Sequence, residues 1–172
     1  MGKNKENKTQ KEKNLESFKN FNPESNIKYI PGAENLPKLR EQLHHSPIFS
    51  FKYISLKGSA YCFDYSQMNG KNYKKVIERF KNICATTYQI MESDTFNYRF
   101  HSIKFEDKRV AITKQFYINT LNENSPTKVK EEQLPTLYQF KIFEEKRAVG
   151  FLGYSGEFNL IWLDFDHSIY PR

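Results

Sequence analysis

Cysteine is scarce. Only Cys62 and Cys84 occur in 172 residues, too few for a disulfide framework. Cys84 falls on the apolar side of an expected helix and reads as a small buried hydrophobe. No apolar run is long enough to span a bilayer. The N-terminal stretch has no apolar h-region, and Glu6 stands where a myristoylation signal after Gly2 needs Ser or Thr. These absences lead to the expectation of a cytoplasmic protein with no membrane partner. The chain also has no CxxC, HExxH, Walker or GxGxxG pattern and no G-x-S-x-G elbow. That argues against the zinc-hydrolase, P-loop, dinucleotide-binding and α/β-hydrolase classes, and no cofactor or metal is expected.

Aromatic residues and positive charge are plentiful. Phe, Tyr and Trp make up 16% of the chain, enough for a sizeable core, and the formal net charge is +7. Such a balance suits an anionic partner: RNA, the ribosome or an acidic protein. Residues 1–26 are polar and Lys-rich, with only Leu15, Phe18 and Phe21 as large apolar groups after the first residue. They read as a flexible basic tail, leaving 27–172 as a single domain.

Within that domain Pro37, Leu39 and Leu43 predict a short helix, with His44 and His45 near its C-terminus as capping candidates. The alternation in 48–56 predicts a strand, paired through a turn at 57–59 with a second strand at 61–65. A long amphipathic helix is expected over 72–92, its core stripe being Tyr73, Val76, Ile77, Phe80, Ile83, Cys84 and Met91. Lys71, Lys74, Lys75, Arg79 and Lys81 decorate its first half with Glu78 as the one acid among them. This is either a solvated helix face or a surface for a phosphate backbone. Residues 96–105 alternate again and predict a strand with Arg99 and His101 on one side, the spacing of a phosphate clamp. Residues 110–118 read as a strand or loop segment, and 120–134 as a surface loop with a short helix at 128–133.

The last third, 137–172, organises the rest. Three apolar runs at 138–143, 147–152 and 158–163 are separated by the turns Glu144-Glu145-Lys146 and Gly153-Tyr154-Ser155-Gly156. They predict a three-stranded antiparallel meander. Gly150 within the second run predicts a bulge, and the third run, holding the only tryptophan, is expected to be the central strand. The fold class expected is α+β: a mainly antiparallel twisted sheet, one long amphipathic helix and the C-terminal meander. The third run ends in Asp164, Asp166, His167 and Tyr170. Metal-independent RNA cleavage needs an acid, a base and a cation for the phosphorane. Candidates for these roles are His167, His101, Asp164, Tyr170, Arg147 and Arg99. Two plainer or rival readings stand beside this one. The cluster is an ordinary strand end, or Asp164, Asp166 and His167 hold Mg²⁺ or Mn²⁺, which would require a bulge or turn to bring His167 round.

The basic helix 71–83, then LYQFKIFEEKRAVGF (137–151) and FNLIWLDFDHSIY (158–170), resemble in order the RelE/ParE superfamily of bacterial toxins. In ribosome-dependent members the sheet carries basic, His and Tyr residues that cleave mRNA. The resemblance covers less than half the chain. A second β-rich segment lies between helix and meander, and the final run is acidic where such toxins are usually basic. The C-terminal pattern is also similar to that of uncharacterised bacterial proteins ending in Asp-x-x-His-x-x-Tyr-Pro. The toxin resemblance implies an RNA-directed or defence-associated protein, RNA or the ribosome as partner, and an antitoxin or assembly subunit as a possible protein partner. From the basic helix and the strand exit, His167 is expected to act as acid or base, Arg147 or Arg99 to stabilise phosphate charge, and Tyr170 to orient or stack a base. The alternative expectation is a non-catalytic module that binds nucleic acid or protein through Lys74, Lys75 and Arg79.

Overall fold

The computed structural model describes residues 43–56, 61–63, 68–125 and 128–171. The basic tail, most of the helix around Pro37 and the turn at 57–59 lie outside the described residues. The elements, in order, are β1 (Phe49–Ser50), α1 (Gly70–Cys84), α2 (Tyr88–Ser93), α3 (Thr95–Tyr98), β2 (His101–Ile103) and α4 (Lys114–Glu123). A 3-10 turn (Glu131–Gln133), β3 (Leu137–Lys141), β4 (Arg147–Leu152) and β5 (Phe158–Asp164) follow. The strands form one five-stranded sheet of order β1-β5-β4-β3-β2, parallel only between β1 and β5. The fold is α+β with a mostly antiparallel sheet, and the C-terminal meander is present as β3-β4-β5. β5 is buried along its whole length, but the central strand is β4. The expectation for β5 followed its apolar composition; segments before β2 and α1 supply its other neighbour.

The ladder register divides the sheet into two faces. Ile103, Leu137, Val149 and Phe151 share one face with His101, Gln139 and Arg147. Phe140, Ala148 and Leu152 share the other. A bulge at Val149/Gly150 shifts the register against β5, as the glycine predicted, so Val149 faces Trp162 while Gly150 faces Leu160. A side chain at Gly150 would run into the Asn159 carbonyl and the Phe158 ring. Val76, Phe80 and Ile83 of α1, with Tyr88 and Met91 of α2, cover the second face. Tyr117 and Leu121 of α4, with Tyr53, Ile112 and Ile169, cover the first around Trp162. Each large side chain buried fully in these layers contributes about 1.5–3 kcal/mol.

Several local expectations are corrected. The helix expected over 72–92 is two helices. Asn69 caps α1 through Asn72 N, the chain leaves the helix at Ala85, and Thr87 caps α2 through Ile90 N. Competition from threonine side chains for backbone donors explains the break. The core stripe is also narrower than expected: Ile77 is 59% exposed and Cys84 is exposed. Both sit on the neighbouring stripe with Lys81, along a shallow groove formed with Pro47, Ile48 and Phe51.

The strand expected at 48–56 is only Phe49–Ser50, because a turn at Phe51–Ile54 follows. Tyr61–Phe63 is not strand, and the rest of that expected hairpin partner lies outside the described residues. Residues 96–105 start as a helical turn capped by Asp94 through Asn97 N, and Arg99 in the left-handed region redirects the chain into the short β2. Residues 110–118 lead into a Thr113-capped helix. The surface loop at 120–134 begins inside α4, buries Leu121 and Val129, and contains only a three-residue 3-10 turn. Ser55 N bonds Ile161 O, Leu163 N bonds Tyr61 O, and Phe158 N bonds Ile48 O, so the segment before α1 lines the outer edge of β5. Among the described residues no helix is long and apolar enough to cross a membrane.

Candidate functional site

Where α4 stops covering the first sheet face, that face opens into a cleft of about 160 Å³. Arg99, His101, Arg147, His167 and Tyr170 line it, together with Arg109, Gln139 and Pro171. Five of the six residues expected to carry chemistry therefore meet there. β2 presents His101, and the ladder places Gln139 of β3 beside it. β4 contributes Arg147 and sits across from Asp164 of β5. The chain after β5 folds back to form the last wall.

Asp164, the sixth, stands behind that wall. It is fully buried, and its carboxylate accepts from Ser168 N at 3.0 Å and Ile169 N at 2.8 Å. It shapes the loop that carries His167. The rival metal set is spread apart: Asp164 spends its oxygens on this loop, Asp166 is exposed, and His167 occupies the left-handed region at φ 53. Among the described residues no three His, Cys, Asp or Glu side chains gather in a metal-binding group.

His101 has both ring nitrogens engaged: Nδ1 lies 3.0 Å from Ser102 O and Nε2 lies 2.9 Å from Gln139 Nε2. His167 Nδ1 lies 3.5 Å from Glu145 Oε2, and the same carboxylate oxygen is 3.2 Å from the Arg147 guanidinium. Arg147 is 2% exposed and also donates to the carbonyls of Glu144 and Lys146. Across the cleft, Tyr170 donates to Asp107 Oδ2 at 2.6 Å, and Arg109 holds Asp107 through both carboxylate oxygens. The Arg109 guanidinium lies over the Tyr170 ring at 4.7 Å and bonds its hydroxyl. The Arg109 hydrogen bonds, then that of Tyr170, hold the Asp107 carboxyl well below the usual carboxylate range. Asp107 in turn raises both the Tyr170 hydroxyl and Arg109.

Among the described residues, the non-glycine positions with positive φ are Arg99, Glu144 and His167. Two line the cleft, and the third adjoins Glu145. Such conformations carry local strain and cluster at ligand sites.

The basic helix residues stand elsewhere. α1 covers the opposite sheet face. Lys74 pairs with Glu78, and Lys75 with Glu144. Arg79 donates to Lys141 O at 3.1 Å and Asn97 O at 2.7 Å and lies over Tyr98; burial lowers its pKa. It ties α1 to α3 and β3. Lys71 and Lys81 are exposed, and Lys81 borders the apolar groove.

Sequence reading missed Arg109, Asp107, Gln139 and Glu145. Asp107 and Arg109 lie between two stretches expected as strands and carry no motif, and Glu145 belongs to the turn at 144–146. Gln139 showed as the polar side of β3, but its juxtaposition with His101 depends on a pairing across 38 residues. Among the described residues the site offers guanidinium and imidazole groups and no lining carboxylate, which suits an anion carrying several acceptor oxygens. No protein-family model matches the chain, and neither a curated protein nor a solved structure is similar to it.

Proposed function

We propose that the protein is an RNA-directed, metal-independent endoribonuclease, toxin-like or defence-associated, acting on free or ribosome-bound RNA. The observation that supports this reading is the convergence of His101, His167, Arg99, Arg109 and Arg147 on one cleft. In the proposed reaction the ribose 2′-oxygen attacks phosphorus and the bond from phosphorus to the 5′-oxygen breaks. His167 takes the 2′-hydroxyl proton and returns it to the departing 5′-oxygen, giving a 2′,3′-cyclic phosphate and a 5′-hydroxyl. Glu145 beside Nδ1 steadies the imidazolium that forms in between. Arg147 and Arg99 meet the charge that grows on the phosphorane oxygens. Tyr170, with a guanidinium over its ring and its hydroxyl held by Asp107, orients Arg109 toward the same place.

The test is mapping of cellular RNA ends after brief induction of the wild-type protein and of His167→Ala. New cyclic-phosphate ends are expected with the wild type, and a reduction by about 10²–10⁴ in the variant. Intact RNA with both proteins, each shown to be folded, rules the reaction out.

The second reading is a non-catalytic binding module that works through α1. Its support is the run of cations on that helix, although Lys74, Lys75 and Arg79 have partners within the fold.

A further inference from the structure

Carboxylates stand close to the guanidinium groups of the cleft. Three guanidinium groups line it: Arg99, Arg109 and Arg147. Three carboxylates answer them from behind the walls. Asp107 grips Arg109, Glu145 pairs with Arg147, and buried Asp164 stands across the ladder from Arg147. Among the described residues that line the cleft, His101 and His167 are the side chains that can gain positive charge.

The surroundings of His101 show where such a proton goes. A carbonyl accepts only from a donor, so the contact of Nδ1 with Ser102 O places a hydrogen on Nδ1. An amide nitrogen only donates, so the contact with Gln139 Nε2 makes the ring Nε2 an acceptor. This arrangement puts the ring hydrogen on Nδ1. Gln139 is 2% exposed, and its Oε1 is buried with no hydrogen-bond partner. Turning the amide over exchanges its two ends: Oε1 would face the ring, whose Nε2 must then carry a hydrogen as well. The orphaned oxygen is thus an acceptor for a proton that His101 does not yet hold.

Cationic side chains gather around the imidazole. Arg99 precedes it by two residues, Arg147 and His167 share its cleft, and Arg109 lies over the ring of Tyr170, whose centroid is 5.5 Å from that of the imidazole. The Asp107 carboxylate is already engaged by Arg109 and Tyr170. An arriving phosphate reverses the balance, and linkage requires that the anion and the proton each strengthen the binding of the other.

We propose that the cleft binds an RNA phosphodiester together with a proton, taken up by His101 as the Gln139 amide turns over to accept it. The proposal rests on reading the cleft as the RNA site, but binding tests it without cleavage. The probe is a deoxydinucleotide: its single phosphodiester stays mono-anionic, and it lacks the 2′-hydroxyl needed for reaction. Calorimetry of the full chain in buffers of different ionisation heat gives the protons taken up per ligand bound. Net uptake is expected, with affinity falling as pH rises. His101→Gln, at an exposed position, is expected to fold, to bind more weakly at low pH and to lose that uptake. Gln139→Leu, which removes the acceptor, is expected to reduce it.

Binding without proton uptake, uptake unchanged in His101→Gln, or no binding by folded protein overturns the proposal. The RNA-end map reports separately on the reaction. Uncut RNA with proton-linked binding sinks the ribonuclease and leaves this inference standing. His167-dependent cleavage with proton-independent binding does the reverse.

Discussion

Arg109 and Tyr170 line the cleft from positions 61 residues apart, and Asp107 holds both, so the wall they form depends on one carboxylate remaining ionised. Its folded pKa is depressed chiefly by the Arg109 hydrogen bonds. The stabilisation it contributes is therefore fully present above the ordinary carboxylate range. It is lost only as pH falls through the lower folded value. Carboxyl carbon shifts followed by NMR are expected to show Asp107 still ionised where exposed aspartates have titrated. In Asp107→Asn the Tyr170 ring resonances are expected to broaden or shift at neutral pH; unchanged resonances would show that the wall stands without the carboxylate. Asp164 makes a different residue-scale prediction. In Asp164→Ala the backbone donors of Ser168 and Ile169 lose their carboxylate. The expected loss is about 2–4 kcal/mol, since an unsatisfied buried donor costs about 1–3 kcal/mol. Denaturant unfolding reads it directly.

Among the elements, the meander was legible because its pairing is local. Short turns join β3 to β4 and β4 to β5, alternation marked β3, and Gly150 marked the bulge. Gly150→Ala should destabilise the fold by about 1–3 kcal/mol through overpacking against Asn159 and Phe158; an unchanged unfolding midpoint would show that the bulge relaxes freely. The segments before the meander misled for identifiable reasons. In 96–105, aromatics spaced two apart imitated a strand, while the Asp94 cap and left-handed Arg99 decided the local structure. α4 had a visible signal in Thr113 followed by Tyr117 and Leu121 on one helix face, but its β-branched and aromatic residues favoured a strand reading. Part of the site was readable from the meander's exit, because His167 and Tyr170 follow β5 closely. Gln139 and Arg109 were not, since their partners His101 and Tyr170 are reached only through tertiary pairing.

At the scale of the whole molecule, the cleft and the basic helix occupy opposite faces of the sheet. A short RNA seated in the cleft has no need of α1. Reversing the charge of Lys74 and Lys75 together is expected to leave cleavage of a short RNA unchanged. If the double reversal instead abolishes RNA binding while His167→Ala preserves it, the binding-module reading takes over. A salt titration of each variant separates these outcomes, because a lost phosphate contact flattens the dependence of affinity on salt.

The segment bonded along the outer edge of β5 also bears on how the molecule fails. Ile48, Ser55 and Tyr61 occupy backbone groups of the most apolar strand that would otherwise be open to another chain. A strand so rich in Leu, Ile and Trp, once uncovered, is a template for intermolecular pairing. Detachment of 48–56 and 61–63, well short of unfolding, would thus turn the folded chain into a seed for fibrils, and the hydrogen bonds holding those stretches set the threshold.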